Sequence, residues 1–169
     1  MKAMKLFVST VAIAALSSLG VSAQRSPDFS GTWTMDQSRS EAAANGEPIG
    51  PVTVVIRQAP GEVRIETTQN GNAQAVRYLP EGTSPTVADE PLGTFRWEGP
   101  QLVTNLVAHV NQQAVTVTEV RRLNAAATEM TVAVTLVVQH GYQSGASNLG
   151  AKNPPNMSTG TNVFLKAKN

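Results

Sequence analysis

The chain has no cysteine and only two histidines among its 169 residues. Without thiols there are no disulfides, no thiolate zinc site, no thiol nucleophile and no cysteine to carry a lipid. With so little histidine, the side chain that most often serves as general base and metal ligand is nearly missing as well. Charge is lean: 13 Lys+Arg against 12 Asp+Glu leave a net +1. A near-neutral chain offers no electrostatic reason to bind nucleic acid or an anionic membrane surface. Long apolar runs are confined to the N-terminus. No later stretch approaches the roughly 20 apolar residues that a membrane-spanning helix needs.

The N-terminus reads as an address. Residues 1–23 carry Lys2 and Lys5, then a mostly apolar run over residues 6–16, then the small-residue sequence Val21-Ser22-Ala23. That order is the pattern of a secretory signal peptide cut after Ala23. Ser9, Thr10, Ser17 and Ser18 interrupt the run, which argues against a membrane anchor. The expectation is a periplasmic or secreted protein, with residues 24–169 forming a single β-barrel domain and no membrane span after cleavage. Loss of Lys2 and Lys5 leaves the acids one ahead.

From Phe29 onward the apolar period is two. Phe29, Gly31, Trp33 and Met35 alternate with Ser30, Thr32 and Thr34; Val52, Val54 and Ile56 with Thr53, Val55 and Arg57; Val63 and Ile65 with Arg64 and Glu66. Further strands are expected at 73–79, 92–98, 101–109, 114–123, 129–139 and 161–168. The domain is all-β. Asn70-Gly71 predicts a two-residue type I′ hairpin turn, which sets Gln69 opposite Asn72, Ile65 opposite Val76 and Val63 opposite Tyr78. The short connections permit only antiparallel neighbours, because a parallel crossover needs a dozen or more residues. A meander of this length removes its edges by closing into an 8–10-stranded, lipocalin-like up-and-down barrel. A two-sheet sandwich is the alternative. Three longer loops, 37–50, 80–91 and 140–160, interrupt the meander, and residues 38–44 suit a short helical turn.

Phe29-Ser30-Gly31-Thr32-Trp33 resembles the G-x-W opening strand of the calycin barrels, the lipocalins and fatty-acid-binding proteins, and in particular of small lipocalin-like envelope proteins of bacteria. Trp97-Glu98-Gly99-Pro100-Gln101-Leu102 and Asn162-Val163-Phe164-Leu165-Lys166 fit the same group. The resemblance implies a ligand-holding barrel with Trp33 packed at its closed end. Lipocalins cover that tryptophan with a late basic residue, for which Lys166 and Lys168 are the candidates here. The Arg-x-Tyr carboxylate clamp of the fatty-acid-binding proteins is absent in that form, since this chain has Asn162-Val163-Phe164.

The face begun by Val115 and Val117 continues into Glu119 and Arg121. If it points inward throughout, a charge pair lies inside the barrel or at its rim, and Arg121 is placed to hold an anionic ligand group. A rim salt bridge, or a bulge that turns both residues to water, is the competing reading. On the first reading, Arg121→Ala weakens ligand binding and leaves the fold intact. Phe95 and Trp97 share a face with Leu102, Thr104 and Leu106, where they either line a cavity or pack the core. Tyr78 aims its hydroxyl at a cavity or at rim water. Arg57 and Arg96 are expected to face solvent. The candidate ligand-binding set is therefore Tyr78, Phe95, Trp97, Leu106, Glu119 and Arg121.

Catalytic, cofactor and metal sites are not expected. Gly141-Tyr142-Gln143-Ser144-Gly145 has its serine one place late for a nucleophile elbow. Residues 145–152 (GASNLGAK) lack both the Gly-Lys step and the following Ser/Thr of a phosphate loop. His109 and His140 have no ligand-spaced carboxylates. The expected function is binding of a small apolar or amphipathic molecule inside the barrel, with loops 80–91 and 140–160 framing the entrance. The alternative is a filled barrel that acts as a cell-envelope interaction module. A hydrolase-like enzyme using His109 or His140 is the third possibility.

Overall fold

The computed structural model describes residues 26–41, 50–83, 90–110, 113–139 and 156–168. Residues 1–25, with the expected signal peptide, most of loop 140–160 and the middle of loop 80–91 lie outside these residues. Nine strands follow in chain order: β1 (Gly31–Met35), β2 (Val52–Ala59), β3 (Glu62–Gln69), β4 (Asn72–Pro80), β5 (Leu92–Glu98), β6 (Gln101–Val110), β7 (Gln113–Leu123), β8 (Glu129–Gln139) and β9 (Asn156–Lys166). They pair in sequence order, and β9 returns to β1 to close the barrel.

The Asn70-Gly71 hairpin has the expected register, with Ile65 opposite Val76 and Val63 opposite Tyr78. Asn70 (φ 51°) and Gly71 (φ 79°) both adopt the positive φ that a type I′ turn demands. Because period two is kept around the ring, one inward set runs from Trp33 through Val54, Ile65, Val76, Phe95, Leu102, Arg121, Val132 and Phe164. Burial of this set follows from the alternation.

Three expectations are corrected. First, β5 runs parallel to β4, with Arg77 opposite Leu92 and Pro80 opposite Phe95, so the meander is antiparallel everywhere except here. The eleven residues between β4 and β5 fall short of a full crossover. However, β5 begins opposite Arg77, only three residues back from the end of β4, so little of the strand's length has to be retraced. Second, β9 starts at Asn156 rather than at 161, because β8 offers ladder partners as far as Val138. Residues 156–160 are therefore strand and not loop. Third, the helical turn at 38–44 is a 3-10 turn over Gln37–Arg39. Asp36 Oδ1 accepts from the Ser38 N–H at 3.1 Å, and Glu41 then exchanges backbone bonds with Thr161 at 2.7 and 3.1 Å. Extended pairing at Glu41 stops the helix there.

One end of the barrel is sealed. The segment before β1 crosses it, held by Gln58, whose side chain accepts from the Phe29 N–H and donates to the Pro27 carbonyl. Phe29, Trp33, Ile56, Val63, Leu102 and Met130 are almost wholly removed from solvent at this end or next to it. The Trp33 indole N–H donates to the Phe29 carbonyl at 2.9 Å, and the Lys166 ammonium lies 5.2 Å from the Trp33 ring centroid. The late basic residue implied by the resemblance is thus Lys166. Gly31 makes room for it: a Cβ there would lie 2.9 Å from Lys166 Cε.

Candidate functional site

Above the sealed end the inner wall becomes polar. Leu102 stands opposite Arg121, and Thr104 opposite Glu119, across the β6–β7 ladder. The β6–β7 register therefore continues the apolar face of β7 inward through both charged residues. Arg121 Nη1 donates to Thr104 Oγ1 at 2.7 Å, and Nη2 donates to Glu119 Oε2. Arg121 is 4% exposed and Thr104 1%, whereas the Glu119 side chain keeps 24%. The pair is inside the barrel, so the solvent-facing reading is set aside. Burial at this depth adds a stability cost to the Arg121→Ala expectation, because removing a buried cation strands its carboxylate partner.

Tyr78 completes this cluster. Its ring lies against Gly93, its neighbour on the parallel strand, where a Cβ would sit 2.5 Å from ring atoms. A side chain at position 93 would expel the ring. Burial pushes the Tyr78 hydroxyl up to about 12, and the nearby Glu119 carboxylate adds to the rise; Arg121 and Thr104 pull the other way. In a Tyr142→Phe chain, which keeps Tyr78 as its single tyrosine, phenolate absorbance should appear near pH 12. An ordinary tyrosine ionises near 10. The folded protein holds this proton to a higher pH than the unfolded chain does. The contribution to stability is therefore complete below pH 10 and disappears between 10 and 12. A midpoint near 10 in the folded protein would show Tyr78 to be wet.

Phe95 and Trp97 belong to the packing beneath the cluster. Their rings meet edge to face at 6.4 Å, and Trp97 lies 6.0 Å from Phe29. Such pairs add to area burial. Leu106 is elsewhere, on the far side of the polar cluster, with Val117 across from it and Leu136 next around the ring. These three point inward and pack on the core, yet each stays partly exposed. Val115 and Val138, one step further along, are also only half-buried. The barrel thus has an apolar mouth at the end where β6 finishes and β7 begins. β5 reaches β4 only from Arg77 and β6 only up to Asn105. Beyond those positions, β4 and β6 have no ladder partner on that side among the described residues.

The loop over 80–91 does not frame this mouth in its described parts. Glu81 pairs with Arg96 beside the sealed end, and Glu90 accepts from Arg64 on the outer wall at 3.2 Å. Arg57 and Arg96 face solvent as expected, in surface ion pairs. The histidines give no site here: the His109 side chain and all of His140 lie outside the described residues. Among the described residues, no three His, Cys, Asp or Glu side chains gather as metal ligands, and no helix is long and apolar enough to cross a membrane.

Three participants escaped the sequence reading as site residues. Thr104 was visible as one polar position in an apolar face. Gly93 shows its role only against a parallel neighbour. Asn162 lies on the inner wall, opposite Val132, which itself faces Arg121.

No family model and no curated protein matches the chain. Several solved structures resemble it at low identity. Lipid binding protein 8 of Caenorhabditis elegans gives a TM-score of 0.45 at 11% identity, over 82% of this chain and 95% of that one. A secretory abundant heat soluble protein of Ramazzottius varieornatus gives 0.43 at 7%, over 82% and 95%. The fluorescent protein UnaG gives 0.45 at 12%, over 82% and 97%. These are barrels to which the chain is similar; its own closed strand order is what establishes the barrel here.

Proposed function

We infer that this protein is a binding protein, not an enzyme, and that it holds a small, partly apolar molecule inside its barrel. One observation carries the reading. Leu106, Val117 and Leu136 face the interior of a closed barrel and are still partly open to solvent. Apolar surface lining a concavity is what a small-molecule site requires. The ligand enters past these residues and meets the polar floor made by Tyr78, Thr104, Glu119 and Arg121, while Phe95 and Trp97 support that floor from below. The leader-like residues 1–23 support a periplasmic or secreted location.

Native mass spectrometry of the chain purified from that compartment tests the reading. The expected result is a stoichiometric adduct, released on denaturation as an apolar or amphipathic compound, or, for an empty chain, saturable binding of a fluorescent apolar probe. A bare mass with no probe binding would overturn it and leave the filled interaction module.

A further inference from the structure

The polar floor carries its own counter-charge. Both terminal nitrogens of Arg121 are engaged, one by Thr104 and one by Glu119. An end-on carboxylate would have to share both of these nitrogens with partners already in place. An incoming carboxylate would also lie beside the Glu119 charge, which offsets the attraction of the guanidinium. Of the three guanidinium nitrogens, only Nε is left with no partner at all among the described residues, and it is buried. Two strands along the same rung, Asn162 Oδ1 is likewise buried and unpartnered. Strand spacing puts these two backbones roughly 10 Å apart on one wall. Buried polar atoms are nearly always paired, so each of these calls for a partner.

We propose that the barrel selects an uncharged amphipathic molecule whose polar end offers both an acceptor, for Arg121 Nε–H, and a donor, for Asn162 Oδ1, as a carboxamide does, and that Glu119 excludes carboxylates. This rests on the carrier reading above. Glu119 acts as a specificity determinant: it converts a cationic anchor into a neutral one.

The test is displacement of the bound apolar probe at pH 8 by three compounds with the same chain, decanamide, decanoate and decane. Decanamide should displace it at about one-tenth the concentration needed for either of the others, the difference expected of one or two buried hydrogen bonds. In Glu119→Gln, an amide oxygen still faces Arg121 but the negative charge is gone. Decanoate should then gain about tenfold relative to decanamide. Decanoate binding the unmodified protein as tightly as decanamide would overturn the proposal, as would equal binding of decanamide and decane. Either result leaves the carrier reading standing. An unchanged ratio in a folded Glu119→Gln protein would remove Glu119 as the determinant. Failure of the probe itself to bind defeats the carrier reading and this inference together.

Discussion

Trp33→Ala should lower the free energy of unfolding by about 3–5 kcal/mol in urea denaturation, the usual cost of truncating a buried tryptophan. The indole is 0% exposed, and it fills the space between the inner wall and the segment that seals the barrel. Three contributions are lost together, and their sizes rank them. The hydrogen bond to the Phe29 carbonyl is worth about 1 kcal/mol. The Lys166 ammonium over the ring contributes about 0.5–1 kcal/mol at a partly exposed position. The remainder is apolar burial and the cavity left behind, so packing dominates. Lys166→Met, which keeps the stem over the ring, should accordingly cost no more than about 1 kcal/mol. A loss below 1 kcal/mol for Trp33→Ala would take Trp33 out of the core and would undo the account of the sealed end.

The sealed end was legible because its signals are local. Alternation over residues 29–35 marks an inward face, and Asn70-Gly71 leaves one turn type and hence one register for β3 and β4. The β6–β7 connection is as short, yet residues 111–112 carry no glycine and no turn signature, so the inward course of Arg121 rested on pattern alone. Pattern cannot say whether a charged residue at the end of an apolar face continues inward or bulges out to water. The register through Leu102 and Arg121 decides it. The direction of β5 was hidden for another reason. Eleven connecting residues permit either a return or a reversal, and the alternation of β5 is the same in both. Gly93 was invisible with it, since its missing side chain matters only where β5 lies parallel to β4 and Tyr78 needs the space.

Arg121→Ala should be nearly as damaging as the loss of Trp33, about 3 kcal/mol, the lower part of the range for breaking a buried ion pair. The figure sits at that end because Glu119 keeps 24% of its side-chain surface in contact with water, which softens the cost of leaving it unpartnered. Most of the loss comes from the stranded carboxylate, and only a minor part from the bond to Thr104. Removal of both charges separates these contributions. A Glu119→Leu/Arg121→Met chain keeps the volume and strands nothing, so its stability should return to within about 1 kcal/mol of the unmodified protein or exceed it. The double-mutant cycle then yields a coupling of about 2–3 kcal/mol. A pair lying at the rim would behave differently: Arg121→Ala would cost less than 1 kcal/mol and the coupling would fall to the few tenths typical of exposed pairs. The same chains divide stability from recognition. If the charge pair serves only the fold, the apolar double variant retains the decanamide preference; if it reads the ligand's polar end, that preference disappears while the barrel stays folded.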